Sequence, residues 1–385
     1  MIPYGKQDIN QHDIDAVIDV LKSDFLTQGP QVPLFEAAIN RTVNSQYAVA
    51  VNSATSALHI ACLALGVGKG DIVWTSPITF VASANCALYC GASVDFVDID
   101  SETYNLSPIE LEKKLIVAKQ QNKLPKVVIP VHLAGQSCDM QKIHQLSLEY
   151  GFSIIEDASH AIGGKYQEQP IGNCQYSDIT IFSFHPVKIV TTAEGGIATT
   201  NNKILSDKMQ LLRSHGISRD EKLMLQAPHG EWYYEQLELG FNYRMSELHA
   251  ALGVSQLNRL QEFVAKRTAI ATCYNEQLAN LPITRPKQLP STDSSWHLYI
   301  IQLNLDELTK SHRQIFNELR NFGIGVNLHY IPVHLQPYFQ QFGFKKGDFP
   351  NAEKYYAYSI SIPIYAQLTT ESQRLIIQAL HKVLS

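Results

Sequence analysis

The fourteen residues Tyr47-Ala48-Val49-Ala50-Val51-Asn52-Ser53-Ala54-Thr55-Ser56-Ala57-Leu58-His59-Ile60 hold the reading on which the fold turns. Residues 47–52 form a short apolar run with β-branched positions, the pattern of a buried strand. Residues 55–65 continue as an apolar helix that Gly66 stops. Only small residues and a Ser/Thr cap separate the two. Such a junction lets the backbone approach a ligand closely, and the free N–H groups at a helix start attract phosphate. An ordinary cap between strand and helix explains the same residues, so this stretch alone leaves both readings open.

Moving outward, the same alternation continues. Strand-like runs fall at 71–75, 94–99, 126–131, 153–156 and 179–184, with helical segments at 80–89, from Pro108, and at 140–150. Ser107-Pro108-Ile109-Glu110 reads as a capping box with proline at the first helical position. Alternation of this kind predicts βαβ units, hence an α/β fold with a mostly parallel sheet covered by helices on both faces. Ligands in such sheets lie beyond the carboxyl ends of the strands. From Ser246 the pattern changes: Leu248, Leu252, Leu257, Leu260 and Val264 predict one long helix towards Leu281, followed by a smaller α+β segment. The expected division is a large domain over residues 1–245, and a linking helix with a small C-terminal domain over 246–385.

Composition narrows the function classes. The chain has 385 residues, with 45% hydrophobic and 17% charged residues and a formal net charge of −5. That balance provides no broad basic field for nucleic acid or an anionic membrane, so a phosphate-bearing ligand needs a local site. Six cysteines without a CxxC pair read as reduced thiols, mostly buried. No run reaches the ~18 apolar residues of a membrane span, and the first residues lack the pattern of a secretion signal. A cytoplasmic protein with no metal site is expected.

Two further stretches end on strand termini. Glu156-Asp157-Ala158-Ser159-His160 closes the run at 153–156 with a carboxylate, which is costly beside apolar residues unless it meets a cation or hydrogen-bond donors. Ser183-Phe184-His185-Pro186-Val187-Lys188 places a lysine just past another apolar strand, thirty-one residues after Asp157. Desolvation lowers a lysine's pKa and leaves a neutral, nucleophilic amine. A reactive lysine, a strand-end aspartate and a phosphate cradle are together what pyridoxal 5'-phosphate (PLP) requires: a covalent anchor, a partner for the ring nitrogen and a phosphate site. Taken singly, Asp157 reads equally as a turn cap and His160 as a core or surface histidine.

On these residues the chain resembles the DegT/DnrJ/StrS-type nucleotide-sugar aminotransferases, of the aspartate aminotransferase fold type (fold type I), from end to end. The resemblance rests on Phe25-Leu26-Thr27-Gln28-Gly29-Pro30, NSATSALH at 52–59, Pro77-Ile78-Thr79-Phe80, EDASHA at 156–161, SFHPVK with TTAEGG at 191–196, and Gly240-Phe241-Asn242-Tyr243-Arg244-Met245. Ile2-Pro3-Tyr4 and Asn327-Leu328-His329-Tyr330-Ile331-Pro332-Val333-His334 are similar to the branch serving pseudaminic acid synthesis, as is Ala54 where many relatives carry glycine.

The resemblance implies specific roles. Lys188 would carry PLP covalently, with pyridoxamine 5'-phosphate as the alternate form, and Asp157 would pair with the ring nitrogen. Ala54, Thr55 and Ser183 would hold the phosphate, Phe80 would stack on the ring, and His160 would face the same cofactor. Asn242 would reach the cofactor phosphate of a neighbouring subunit, which implies a homodimer with shared active sites. Tyr4, Leu26, Thr27, His329 and Tyr330 would line a pocket for a UDP-4-keto-6-deoxy-N-acetyl-hexosamine, aminated at C4 with L-glutamate as donor. Read without the resemblance, Asn242 is a turn residue and Phe80 plain core. Arg213 and His215 are further candidates without a role. Three alternatives stay open: another nucleotide-linked keto sugar (C3 or dTDP), a pyridoxamine-dependent sugar dehydratase, and a non-catalytic homologue. Lys188 weighs against the last two.

Overall fold

The computed structural model describes residues 1–384. Seven strands form the central sheet: β1 (Tyr47–Val51), β2 (Ile72–Thr75), β3 (Ser93–Phe96), β4 (Val127–Ile129), β5 (Ser153–Asp157), β6 (Ile179–Ser183) and β7 (Gly196–Thr200). Their spatial order is β1-β7-β6-β5-β4-β2-β3. The five strands from β6 to β3 pair in parallel, while β7 runs antiparallel to both β6 and β1. Six strands therefore share one direction, and their carboxyl ends lie along one edge.

Side chains alternate faces along each strand, and the core records it. Val73, Ile129, Ile155 and Ile181 pack with the helix Ala54–Ala64 on one face. Trp74, Val128 and Ile154 pack with Leu111, Leu115 and Ile143 on the other. Helices therefore cover both faces, as a parallel sheet requires. The helix Pro108–Gln120 starts at Ser107, whose side chain accepts the Glu110 N–H at 3.3 Å. The expected capping box is only half made, because the Glu110 carboxylate turns outward to Lys113 at 2.8 Å.

The single long helix expected from Ser246 is instead two, Glu247–Leu257 and Leu260–Gln277. At the break, Asn258 and Arg259 donate to carbonyls only three residues back, which tightens the turn. The tightened turn lets Ser255, Gln256 and Arg259 converge on the buried carboxylate of Asp13, at 2.6, 2.7 and 2.6 Å. Phe263 of the second helix packs in the large-domain core, whereas Ile270, Ala271 and Tyr274 pack in the small-domain core.

The small domain is built on a three-stranded sheet, Ile283–Thr284, Tyr299–Leu303 and Ser359–Ile362. The helices His312–Asn321 and Thr370–Leu384 supply Ile315, Leu319, Ile376 and Leu380 to its core. The first residues of the chain lie along it: Ile2 N–H donates to the Gly323 carbonyl, and the Tyr4 carbonyl accepts from Ile364. This contact carries Tyr4 from one end of the sequence to the sheet edge. All six cysteines are free thiols, and no helix among the described residues is long and apolar enough to cross a membrane.

Candidate active site

A cavity of about 540 Å³ opens at the shared carboxyl edge. β1, β5 and β6 each deliver a residue or junction to it, which the parallel arrangement makes possible. Lys188 lies in the loop after β6. That loop is tied at its base, where the Phe184 carbonyl accepts the Thr192 N–H at 2.9 Å and the Thr191 hydroxyl at 3.0 Å. Lys188 is thereby held at the tip, facing Asp157 at the end of β5. Burial pushes the Lys188 amine down to about 8, against the opposing pull of the Asp157 charge. An amine in that range is partly neutral near neutrality and therefore nucleophilic.

Asp157 is 5% exposed. Its Oδ2 accepts the Ser83 hydroxyl at 2.6 Å and its Oδ1 accepts the Ser159 N–H at 3.1 Å. Ser83 lies 2.7 Å from the Thr79 hydroxyl; because Ser83 donates to Asp157, it accepts from Thr79. A carboxylate has about four acceptor positions, so this one keeps capacity towards the cavity that it lines.

The β1 junction forms the opposite wall. Ser53 caps the helix Ala54–Ala64 by accepting the Ser56 N–H at 3.2 Å, while the Ala54 and Thr55 N–H groups make no backbone bond. Gly196 pairs with both Val51 and Ser183, and a Cβ there would stand 2.4 Å from the Ala54 nitrogen. The glycine is what allows β7 to press against the helix start, beside the Ser183 hydroxyl. The result is a concave set of donors at the positive end of a helix.

Phe80 precedes the helix Ala82–Tyr89 instead of opening it, and the residue is 59% exposed. It faces Tyr330 across the cavity, ring centres 6.3 Å apart. His329 is buried and sits 5.0 Å from the Tyr4 ring, its Nδ1 2.9 Å from the Ser361 hydroxyl. Burial and the neighbouring Lys188 push it down to about 4, so it is neutral at pH 7. His160 lines the same wall, 3.1 Å from the Tyr330 hydroxyl.

Ten of the expected residues thus meet at one cavity: Tyr4, Ala54, Thr55, Phe80, Asp157, His160, Ser183, Lys188, His329 and Tyr330. Leu26, Thr27 and Asn242 do not line it. They lie on an exposed surface, where Thr27 bridges Ser246, the Leu26 carbonyl accepts from Glu247, and Asn242 bridges Ser214. Arg213 is engaged elsewhere, donating to Glu36 at 2.5 Å and to the Ala50 carbonyl at 2.8 Å. Sequence reasoning missed Ser83, Thr79 and His297. A serine at the second position of a helix carries no mark of a role; only strand order brings it to Asp157.

Comparison with known proteins then supplies the family. The profile of the DegT/DnrJ/EryC1/StrS aminotransferase family matches residues 7–381. The chain belongs to that family. Over 390 aligned residues it is 37% identical to the UDP-4-amino-4,6-dideoxy-N-acetyl-beta-L-altrosamine transaminase of Campylobacter jejuni, covering 100% of this chain and 98% of the relative. It is similar in structure to PseC of Helicobacter pylori, an aminotransferase involved in the biosynthesis of pseudoaminic acid. There the TM-score is 0.91 at 32% identity, over 100% of this chain and 99% of the other. Spr1654 from Streptococcus pneumoniae in its PLP form has a TM-score of 0.88 at 30% identity, over 100% of both chains. In this chain residues of the large sheet's carboxyl edge and of the C-terminal part, among them His297, His329 and Tyr330, line one cavity.

Proposed function

We propose that the protein is a PLP-dependent aminotransferase that moves an amino group from L-glutamate to C4 of a UDP-4-keto-6-deoxy-N-acetyl-hexosamine. The product is a UDP-4-amino-4,6-dideoxy sugar of the pseudaminic acid type. The observation carrying this reading is the convergence of Lys188 and Asp157 on one cavity, in a chain similar over its whole length to a transaminase named for such a sugar. The residues fit the cofactor on three counts. Lys188 offers an amine of reduced basicity, Asp157 offers acceptor capacity to a ring N–H, and the first turn at Ala54 and Thr55 offers amide donors to a phosphate.

When bound, PLP supplies an electron sink for charge developing at a substrate carbon. The protein's own residues do the rest. Lys188 Nζ anchors the cofactor and, once displaced, takes the proton from the glutamate α-carbon. In the second half-reaction the same Nζ delivers a proton to C4 of the sugar. Asp157 holds the ring nitrogen protonated throughout, and Ser83 and Ser159 hold Asp157. Tyr4, His329 and Tyr330 line the side of the cavity open to the sugar. Glutamate and sugar occupy one site in turn, so ping-pong kinetics are expected.

Leu26, Thr27 and Asn242 belong, in this reading, to the cavity of a second subunit, in a homodimer whose sites are shared. All three are exposed and none lines this chain's own cavity, which supports it. The test is a panel of UDP- and dTDP-linked 4-keto and 3-keto sugars, with glutamate as donor and products identified by mass. Conversion of the UDP-4-keto substrate ahead of the others is expected. Preference for a 3-keto or dTDP sugar would move the assignment to another substrate of the same family.

A further inference from the structure

His160 is 6% exposed, and both of its ring nitrogens are engaged. Nδ1 lies 3.3 Å from the backbone nitrogen of Ala134 and accepts its N–H. A backbone amide can only donate, so Nδ1 carries no proton, and the neutral ring carries its proton on Nε2. Nε2 lies 3.1 Å from the Tyr330 hydroxyl. With Nδ1 already an acceptor, Nε2–H donates and the phenolic oxygen accepts. A doubly protonated ring would set one N–H against the Ala134 N–H. Burial, together with nearby Lys188 and His329, pushes His160 well below the ordinary histidine range.

The ring cannot easily reorient. The Ser295 hydroxyl donates to the His160 carbonyl at 3.0 Å, and the His297 ring packs 4.3 Å away on one side. Tyr330 stacks near-parallel, 24° between planes, on another. Once its oxygen accepts from His160, the Tyr330 hydroxyl keeps a proton of its own. Apart from His160, no hydrogen-bond partner of that hydroxyl is present among the described residues, and Tyr330 lines the cavity.

We propose that Ala134, His160 and Tyr330 form a one-way hydrogen-bond chain that aims the Tyr330 phenolic proton at an oxygen of the molecule bound in the cavity. Tyr330 is then a catalytic contact, and His160 the residue that positions it. The direction of the chain stands on geometry alone; the identity of the acceptor rests on the aminotransferase reading. The acceptor is an oxygen that carries or gains negative charge. Two molecules supply one: the keto sugar, whose carbonyl oxygen must leave as water when nitrogen replaces it, and the cofactor, through its phenolic oxygen.

Two measurements test the chain. The first uses the ligand-free protein with ¹⁵N-labelled histidine, His160→Gln serving to assign the signals. A neutral ring protonated on Nε2 and unchanged from pH 6 to 8 is expected; protonation on Nδ1, or titration in that range, overturns the proposal. The second compares Tyr330→Phe, His160→Ala and His160→Gln after cofactor loading, each half-reaction being followed by absorbance. If the acceptor is the sugar oxygen, Tyr330→Phe slows the sugar half-reaction about tenfold or more and leaves the glutamate half-reaction near wild type. If it is the cofactor oxygen, both half-reactions slow and the pH at which the absorbance band changes is displaced. In either case His160→Ala reproduces the Tyr330→Phe effect without adding to it, and His160→Gln, which can restore an N–H donor, recovers part of the loss. Wild-type rates and an unmoved band in Tyr330→Phe overturn the proposal. A wild-type protein that aminates no sugar, but shows the Nε2 tautomer, defeats the functional reading and leaves the chain standing.

Discussion

Glu156 and Asp157 are adjacent carboxylates on β5, both 5% exposed, and they point to opposite faces of the sheet. Glu156 is enclosed by donors: His132 Nε2 at 2.7 Å, the Ser177 hydroxyl at 2.5 Å and the Thr180 hydroxyl at 3.1 Å. The Cys138 N–H occupies His132 Nδ1 at 3.1 Å, so His132 gives its Nε2 proton to Glu156. Burial raises the Glu156 carboxyl, but these donors outweigh it and hold it below its ordinary range. Asp157 has one hydroxyl and one amide for partners and otherwise faces a cavity shared with Lys188. The difference separates structure from function. A buried carboxylate whose acceptor positions are mostly met inside the protein holds the fold, whereas one left with spare capacity at a cavity is available to a ligand.

The first way to break this comparison is to neutralise each acid in turn. Asp157→Asn keeps the shape but cannot hold a ring nitrogen protonated. Its kcat should fall about a thousandfold, ~4 kcal/mol of barrier at ~1.4 kcal/mol per tenfold, with thermal stability near wild type. Glu156→Gln should do the reverse. Its amide cannot satisfy three donors, which costs about 2–4 kcal/mol of stability, while the surviving folded protein keeps its rate. Calorimetry and steady-state kinetics on the pair check both. Equal effects on rate would erase the distinction.

A pH series sharpens the same contrast. Because Glu156 is held below its unfolded value, its contribution to stability is fully present above about 4.3. It is lost as pH falls through the lower folded value. Unfolding midpoints of wild type and Glu156→Gln should therefore converge as pH drops below 4, and stay apart at pH 7.

Ser83→Ala tests a smaller effect on the Asp157 side. It removes one hydrogen bond to an ionised group, about 1.5–3 kcal/mol in magnitude, only part of which distinguishes ground from transition state. A loss in kcat of about tenfold is expected, together with a changed pH dependence of the absorbance of the loaded protein. An unaltered pH profile would make Ser83 a packing residue only.

Much of this contrast was legible in the sequence, but unevenly. Asp157 and Lys188 stood out because a charge closing an apolar strand, or just past one, is chemically out of place. Strand–helix alternation carried six of the seven strands of the large sheet; β7, which runs antiparallel between β1 and β6, was not among them. Glu156 carried no such mark, since His132, Ser177 and Thr180 meet it only through strand order and register. Ser83 was hidden for the same reason. The break at Asn258 and Arg259 left no local trace, because both residues tolerate a helix; Asp13, far away in sequence, fixes the turn. Asn242, Leu26 and Thr27 came from the resemblance, and none of them lines the chain's own cavity.

The smallest of these effects is kinetic and concerns the amine itself. With Lys188 pushed down to about 8, capture of PLP by the ligand-free protein should accelerate from pH 6 and level off just above 8. An ordinary lysine would still be accelerating near 10. A stopped-flow absorbance series across that range reads the midpoint, and Lys188→Ala removes the phase altogether.

The most direct measurement is to load the protein with PLP, reduce it with borohydride, digest it and locate the modified residue by mass. The account predicts one pyridoxyl label, on the peptide containing Lys188, present in wild type and in Asp157→Asn alike. The label should be absent in wild type that has first been treated with excess glutamate. A label on another lysine, or none in a protein that still transfers amino groups, would contradict it.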